Sequence, residues 1–343
     1  TLRRLIQGWC TLNASLGVDR IPTPRAPATR PAVLNLLHDL SHPHMASRAL
    51  RLLATLASDS ESNRRCMLQA GAARRVARVV LTNQDDDGHL VVGEALTVLH
   101  ALRPSPDELT PLVQDMYHEL VDSIIRFLKR VVPPDDGADP RSHAMQVLRS
   151  ICEAASPTMV ERLKPDFFEA VVSVLRVQTR TSTQATKAAL QVLLQACPLG
   201  TNRNKIAEAG AVVELVELEL TAPDKRTSEL VLGVLDHLCG CAHGRAELVG
   251  HAAGIAVVAK RAMRVSPAAD ERAVGILSSV CRYSGTGEVL QEMLRVGAVS
   301  KLCWVLQADC STSVKEKARW VLRLHSEAWR NSPCIASYLL TRR

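Results

Sequence analysis

The hydrophobic positions of the chain recur in a short pattern that appears seven times along its length. The segments read RALRLLATL, EALTVLHAL, HAMQVLRSI, AALQVLLQA, LVLGVLDHL, RAVGILSSV and KARWVLRLH. Their apolar residues are spaced three and four positions apart, which is typical of one face of an amphipathic helix. Alignment superimposes one leucine per copy: Leu53, Leu99, Leu148, Leu193, Leu235, Leu277 and Leu322. The pattern therefore predicts seven equivalent helices.

The interval between these leucines is nearly constant, at 46, 49, 45, 42, 42 and 45 residues. This period matches helical repeats of the armadillo or HEAT type. Four units share an upstream phrase typical of armadillo repeats: NRRCMLQAGAARRV, NRNKIAEAGAVVEL, RAELVGHAAGIAVV and VLQEMLRVGAVSKL. Its glycine permits a left-handed turn or a close helix approach, and occurs at Gly71, Gly210, Gly254 and Gly297. We predict an all-α fold, a right-handed armadillo-repeat superhelix (α-solenoid) of about seven repeats.

Two units depart from the shared phrase. Residues 107–152 and 153–197 keep the apolar pattern but lack the glycine, and the second has KPDFFEAVVSVL with Pro165 instead. We expect the repeat to continue through both units, with a different connection between their helices.

The first residues, TLRRLIQGWCTLN, predict a separate helix. Leu2, Leu5, Ile6 and Trp9 follow the i, i+3, i+4, i+7 spacing and share one face, which needs a partner. The following RIPTPRAPATRP contains four prolines, which favour an extended spacer. We therefore divide the chain into a helix at 1–13, a Pro-rich linker at 14–31 and a repeat domain at 32–343.

The composition of the chain argues against two classes of partner, nucleic acids and the membrane interior. The net charge of +7 is modest for 343 residues, and the arginines are scattered. Aromatic residues make up only 3% of the chain, so few side chains could stack on nucleic-acid bases. No apolar run reaches the length of about 18 residues expected of a membrane-spanning helix. We therefore predict no nucleic-acid partner and no transmembrane segment.

The sequence offers no self-sufficient catalytic or metal site. Cys152, Cys197, Cys239 and Cys281 end aligned helices, where small buried side chains fit, so we interpret them as reduced core residues of a cytosolic or nuclear protein. Cys239 and Cys241 lack a second pair of metal ligands. The eleven histidines form no HExxH motif, and phosphate-loop and hydrolase motifs are absent. We predict no catalytic residue, no metal and no cofactor.

The ends and loops of the chain carry a more specific resemblance. TLRRLIQGWCTLN followed by RIPTP resembles the last helix of the U-box and its exit into a linker in plant U-box ubiquitin ligases. The segments ATKAALQVLLQACPLGTNRNKIAEAGAVVELVELEL, GRAELVGHAAGIAVVAKRAMRVS and LHSEAWRNSPCI resemble the armadillo region of the same family. Residues 1–13 would then be the C-terminal helix of a truncated U-box, whose missing body would cover Leu2, Leu5, Ile6 and Trp9.

This resemblance implies an E3 ubiquitin ligase, a transferase whose U-box recruits a ubiquitin-conjugating enzyme (E2) and whose armadillo groove selects protein substrates. A U-box uses neither zinc nor a covalent cysteine. Its E2-binding loops precede the last helix, so we expect this chain to bind substrates but to transfer no ubiquitin alone. The family acts in cytoplasmic signalling, especially stress and immune responses. We therefore expect a cytoplasmic protein, with the nucleus or the membrane surface reached through partners.

The armadillo resemblance also indicates which residues face the groove. In armadillo proteins the third helix of each repeat lines it, and two positions four residues apart face inward. The first positions here are Arg51, Thr97, Gln146, Gln191, Gly233, Gly275 and Trp320. The second positions are Thr55, Ala101, Ser150, Gln195, His237, Ser279 and Leu324. We predict a substrate groove that includes Arg51, Thr97, Gln146, Gln191, Gln195, His237 and Trp320.

Other classes of armadillo or helical-repeat protein remain to be compared. Nuclear-import receptors carry Trp and Asn at the two positions, whereas only Trp320 matches here and Leu324 replaces the Asn, which disfavours that class. An RNA-binding repeat would need a base code of two or three residues per repeat, which these positions do not supply. A non-catalytic armadillo adaptor or scaffold that binds an extended peptide stays open as the alternative to a ligase.

Overall fold

A computed structural model of the protein describes residues 2–17, 27–83, 88–130, 140–176, 182–221, 223–333 and 335. Every regular element in these ranges is a helix, so the predicted all-α class is confirmed. The chain divides into two compact units, Thr1–Ser105 and Pro106–Arg343.

The first unit contains six α-helices and a short 3-10 helix at Ala14–Leu16 in its described part. The α-helices are α1 (Leu2–Leu12), α2 (Arg30–Asp39), α3 (Pro43–Asp59), α4 (Glu61–Gln69), α5 (Ala72–Thr82) and α6 (His89–Leu102). Helix α3 packs against α2, α4 and α6, and α5 packs against α6. Residues 18–26, half of the predicted linker, lie outside the described residues. The chain that follows them is held where the Ala28 amide donates to Asn63 Oδ1 at 2.8 Å.

The second unit contains fifteen α-helices in its described part. They are α7 (Pro106–Lys129), α8 (Pro140–Ala154), α9 (Pro157–Glu161), α10 (Pro165–Leu175), α11 (Thr183–Ala196), α12 (Asn202–Glu208), α13 (Ala211–Leu220), α14 (Lys225–Leu238), α15 (Ala242–Gly250), α16 (Gly254–Arg261), α17 (Pro267–Ser284), α18 (Gly287–Arg295), α19 (Ala298–Gln307), α20 (Thr312–Leu324) and α21 (Ser326–Trp329).

The seven predicted helices are present and carry the aligned leucines. We call them the ladder helices: α3, α6, α8, α11, α14, α17 and α20. In the first unit α3 packs on α6, and in the second α8, α11, α14, α17 and α20 pack on one another in that order. The first six leucines are at most 4% exposed, whereas Leu322 on the last ladder helix is half-buried. Each repeat thus buries its apolar face against its neighbours, and the predicted solenoid is confirmed.

Three of the four shared glycines adopt the left-handed conformation. Gly71, Gly210 and Gly297 have φ values of 78°, 77° and 76° and lie directly before the next helix. Gly254 instead allows two backbone segments to approach closely, because a Cβ there would lie 1.9 Å from the backbone oxygen of Leu248. Both predicted reasons for a glycine therefore occur, at different repeats.

The two units without the glycine connect their helices differently from the rest. In the first, α7 consists of two helical segments that meet at a kink at Met116, whose φ and ψ of −135° and 20° are not helical. In the next unit Arg162, Leu163 and Lys164 separate α9 from α10, and Pro165 begins the new helix, where proline is tolerated. The period continues through both units, as expected.

The predicted face of α1 is only partly covered. Leu5 and Trp9 are 71% and 55% exposed, and Leu12 beyond them is 82% exposed. Ile6 is half-buried and Cys10 is buried, while the side chain of Leu2 lies outside the described residues.

The aligned cysteines are core residues. Cys152, Cys197, Cys239 and Cys281 are at most 2% exposed, and burial raises the pKa of each thiol to about 12. All four are free thiols. Within the described ranges, no group of three or more His, Cys, Asp or Glu side chains is placed to hold a metal ion. None of the helices described is both long and apolar enough to cross a membrane.

Candidate protein-binding surface

The predicted groove residues all lie on ladder helices, and none of them is buried. Arg51 on α3 and Thr97 on α6 belong to the first unit. The second unit carries Gln146 on α8, Gln191 and Gln195 on α11, His237 on α14 and Trp320 on α20. We call the side of the second unit that bears these five residues the ladder face. Trp320 is its exposed residue, and the other four are half-buried.

In the first unit, the charge of Arg51 is already neutralised. Its Nε lies 2.6 Å from Glu94 Oε1, and the other carboxylate oxygen of Glu94 accepts a hydrogen bond from the Ser47 hydroxyl at 2.5 Å. Thr97 donates to the carbonyl of Gly93 at 2.9 Å within its own helix. Arg51 therefore joins α3 to α6, and its exposed guanidinium remains accessible beside that pair.

Several second positions use their polar atoms to join neighbouring ladder helices. Gln195 Nε2 donates to the carbonyl of Cys152 at 2.9 Å, and the Ser279 hydroxyl donates to the carbonyl of Cys239 at 2.7 Å. In the last repeat the second position is Leu324, and the next residue, His325, makes the equivalent contact: its Nε2 donates to the carbonyl of Cys281 at 2.9 Å. These carbonyls lie at the ends of the preceding ladder helices, where backbone acceptors lack helical partners. At the second positions, hydrogen bonds to the previous repeat thus stabilise the stack.

The two glutamines at first positions differ in their contacts. Gln146 Nε2 donates to the carbonyl of Gln184, at the start of the next ladder helix, at 3.0 Å. Gln191 makes no hydrogen bond to any other described residue. Its amide is therefore free to bind a ligand in the middle of the ladder face.

The two glycines at first positions are covered by the preceding repeat. A Cβ on Gly233 would lie 3.2 Å from Leu194 Cδ1, and one on Gly275 would lie 2.5 Å from Asp236 Oδ1. Asp236 is ion-paired with Arg272 at 3.0 Å. Burial raises the pKa of Asp236 against the opposing effect of Arg272, and burial lowers the pKa of His237. Ligand contacts at these repeats must therefore come from residues other than the first positions.

The C-terminal end of the ladder face carries an alternating set of aromatic and arginine side chains. Trp320 is 37% exposed, and its ring centroid lies 5.7 Å from the guanidinium carbon of Arg282. The same carbon lies 5.3 Å from the ring of Tyr283, which is 62% exposed. On its other side Tyr283 contacts Arg245, at 4.6 Å. We call Trp320, Arg282, Tyr283 and Arg245 the aromatic–arginine row.

Sequence reasoning missed three of these four residues, because it considered only two positions per repeat. Arg282 follows Gly275 and Ser279 at helical spacing and could have been placed on the same face. Tyr283 and Arg245 meet across a helix boundary, which no single-helix pattern reveals.

The last repeat is covered by a different tryptophan. Trp329 is 1% exposed, and its Nε1 donates to the carbonyl of Leu322 at 3.2 Å. Its ring also meets that of His325 edge to face, with the centroids 5.8 Å apart. Trp329 therefore covers the end of the stack, which leaves Trp320 accessible on the ladder face.

Comparison with known proteins shows which proteins this chain is similar to. The family model described as "Plant U-box protein ARM repeat region" matches residues 32–343. The chain is 41% identical over 345 residues to E3 ubiquitin-protein ligase PUB23 of Arabidopsis thaliana, covering 99% of this chain and 82% of that protein. It is 36% identical over 367 residues to E3 ubiquitin-protein ligase PUB22 of the same plant, covering 98% and 83%.

A solved structure supports the fold alone. A chain from work on a phosphorylation switch that controls the interaction between cadherin and beta-catenin superposes with a TM-score of 0.71 at 16% identity. The match covers 99% of this chain and 63% of that one.

Proposed function

This chain belongs to the plant U-box proteins and forms their armadillo-repeat region, and we propose from that membership that its ladder face selects the proteins that a U-box ligase modifies with ubiquitin. The observation that carries the proposal is the accessible ladder face itself. Gln191 and Trp320 present a free amide and an exposed ring there. Exposed aromatic and arginine side chains are also the commonest anchors of protein interfaces. Arg51 and Thr97 of the first unit remain proposed substrate contacts.

We further propose that α1 is the last helix of a U-box and that E2 binding belongs to the rest of that domain. The support is the exposed apolar surface of Leu5, Trp9 and Leu12, which a domain body would bury. Burying a large apolar side chain contributes about 1.5–3 kcal/mol, so a domain that covers this face would gain stability. On this proposal residues 14–31 act as the linker between the U-box and the repeats.

The enzymatic step would then be ubiquitin transfer from the E2 to a substrate held on the repeats. No covalent intermediate on this chain is required. The buried cysteines are compatible with a mechanism that has no covalent step on this chain, because a raised pKa keeps each thiol protonated and unreactive at neutral pH. We also infer from the family resemblance a role in stress or immune signalling, in the cytoplasm or, through partners, in the nucleus or at membranes.

A reconstituted transfer assay with E1, E2 and ubiquitin tests the ligase proposal. The 343-residue chain alone should show no self-ubiquitination, whereas the same chain joined at Thr1 to the U-box segment of a relative should modify itself. Transfer by the chain alone would show that the E2-binding surface lies elsewhere. A fusion that stays inactive with every E2 tested would favour the alternative, a non-catalytic armadillo adaptor.

A further inference from the structure

Several charged side chains of the second unit's ladder helices are paired within the protein. Arg149 pairs with Glu153 at 2.6 Å, and Lys187 pairs with Asp224 at 3.1 Å. The pair between Arg272 and Asp236 continues this pattern as far as the start of α17. An external ligand would find few unpaired charges on this part of the surface.

Beyond Arg272 the cations of the ladder helices are no longer paired with carboxylates. Arg282 near the end of α17 is unpaired, and α20 adds four cations against one acidic residue, Glu316: Lys315, Lys317, Arg319 and Arg323. In the described part of the chain, no carboxylate lies within ion-pair distance of these five cations. Lys317 acts electrostatically on Asp236, which Arg272 already holds. The C-terminal end of the ladder helices therefore carries a net positive charge, with Glu316 one turn before Trp320 on the same face of α20.

The aromatic–arginine row lies within this positive region. The guanidinium carbon of Arg282 lies within cation–π distance of the rings of both Trp320 and Tyr283. An arginine in cation–π contact with aromatic rings can still use its N–H groups, which match a carboxylate or phosphate with two parallel hydrogen bonds. The rings also offer apolar contact to neighbouring parts of the same ligand.

We propose that the aromatic–arginine row and the cations of α20 form a subsite for an acidic, extended segment of the substrate, rich in Asp or Glu. This inference rests on the proposed function and specifies its substrate class. Carboxylates would pair with Arg282 and the α20 cations, and an adjacent apolar side chain would contact Trp320. A basic peptide would meet like charge at the same place and be excluded. Phosphorylated side chains offer similar chemistry, so the test must separate the two sources.

The test is fluorescence anisotropy on the whole chain with labelled peptides of alternating residues. The probe alternates Glu with Ala, and matched peptides replace Glu by Gln, Lys or phosphoserine. The Glu peptide should bind more tightly than the Gln peptide, the Lys peptide should not bind, and added salt should weaken binding. Binding of the phosphoserine peptide without binding of the Glu peptide would overturn the assignment to Asp and Glu.

Variants locate the subsite. Arg282→Gln and Trp320→Ala should each weaken binding of the Glu peptide about tenfold. Arg282→Lys keeps the charge but loses the planar guanidinium that pairs with a carboxylate through two hydrogen bonds, so its affinity should fall between those of Arg282→Gln and the unchanged protein. Arg78→Gln also removes an exposed positive charge, from α5 in the other unit, and should change the affinity less than about twofold. Thermal melting verifies that each variant is folded.

Two results would overturn the inference. Equal losses from Arg282→Gln and Arg78→Gln would reduce the binding to general charge attraction, and equal affinity for the Glu and Gln peptides would remove the charge preference. Either result leaves the proposed function intact if Gln191→Ala still abolishes substrate modification. Conversely, tight binding of the Glu peptide with no effect of ladder variants on substrate modification would contradict the proposed function.

Discussion

Polar residues of the second unit divide into those whose atoms bond within the protein and those that remain available to a ligand. Gln195 and Ser279 donate to carbonyls of the preceding repeat, so their replacement acts on stability first. Gln191 and Trp320 make no hydrogen bond within the described structure, so their replacement acts on binding first. Substitutions on one surface should therefore separate into two experimental classes.

Glu219 should be the most costly polar residue to replace. Its side chain is 1% exposed, and its carboxylate is held by Arg261 and by the Ser228 hydroxyl, the latter at 2.7 Å. Removing one partner of a buried ion pair leaves an unpaired buried charge and typically costs about 3–5 kcal/mol. We expect Glu219→Gln to lower the free energy of unfolding by an amount in that range, measured by urea titration.

The control is an exposed pair of the same type. Glu327 pairs with Arg330 near the end of the second unit, with both side chains more than two thirds exposed. Glu327→Gln should change stability by less than about 0.5 kcal/mol. If Glu219→Gln costs no more than this control, the Glu219–Arg261 pair does not stabilise the fold.

At the scale of the element, the last four ladder helices share a capping device. Ser182, Asp224, Ser266 and Ser311 precede α11, α14, α17 and α20, and each side chain accepts a hydrogen bond from an amide in the first turn. A cap of this kind fixes where the helix begins and contributes about 1 kcal/mol. It therefore also fixes the register of the ladder face.

The Asp224 cap should make stability depend on pH in a predictable direction. Its pKa is lowered from 3.8 to about 2, first by the hydrogen bond from the Thr227 hydroxyl and also by Lys187. A depressed folded-state pKa contributes stability above the unfolded value of 3.8, and this contribution is lost as pH falls through about 2. We expect Asp224→Ala to cost about 1 kcal/mol at neutral pH. Urea titrations at several pH values should show this cost shrinking between pH 4 and pH 2, and a constant cost would contradict the assignment.

Helix α1 should be the least protected helix of the first unit. Leu5, Trp9 and Leu12 are exposed, so little apolar burial opposes its local opening. Hydrogen exchange should show weak protection of the Leu5 and Ile6 amides and strong protection around Leu235, which is fully buried in α14. Equal protection at the two places would mean that α1 is anchored by contacts that its exposed face does not reveal.

At the scale of the whole molecule, the repeat was predictable and the contacts between repeats were not. The aligned leucines predicted seven helices because a helix has 3.6 residues per turn, and burial of one face makes apolar residues recur with that period. The kink at Met116 that joins the two segments of α7 was not predicted, since the loss of a glycine does not show what replaces it. The contact of Asp236 with Gly275 and that of Arg282 with Trp320 both depend on the axial offset between neighbouring helices. That offset is set by packing, which one sequence does not reveal.

The candidate site stays a prediction at the level of residues. All seven predicted groove residues are at least partly exposed, which is compatible with a binding surface. Their roles were not predictable. Gln195 stabilises the stack, while Arg282 and Tyr283 join Trp320 in the row.

Substrate selection by the ladder face is most directly tested by the proteins that become modified. The chain joined to a relative's U-box is expressed in Arabidopsis cells, and ubiquitin-modified proteins are quantified by mass spectrometry for four forms: unchanged, Gln191→Ala, Trp320→Ala and Trp304→Ala. Trp304 is a matched control, because it is 54% exposed and lies on α19, outside the ladder helices. Self-modification reports in every form whether transfer itself works.

We predict that Gln191→Ala and Trp320→Ala lose the modified proteins that the unchanged form and Trp304→Ala retain, with self-modification equal in all four. The affinity for a purified substrate so identified should fall by about 1–3 kcal/mol, with the thermal midpoint little changed. The same set of modified proteins in all four forms would contradict the account. So would a Trp320→Ala variant that melts several degrees lower yet binds the substrate as tightly, because Trp320 would then belong to the core.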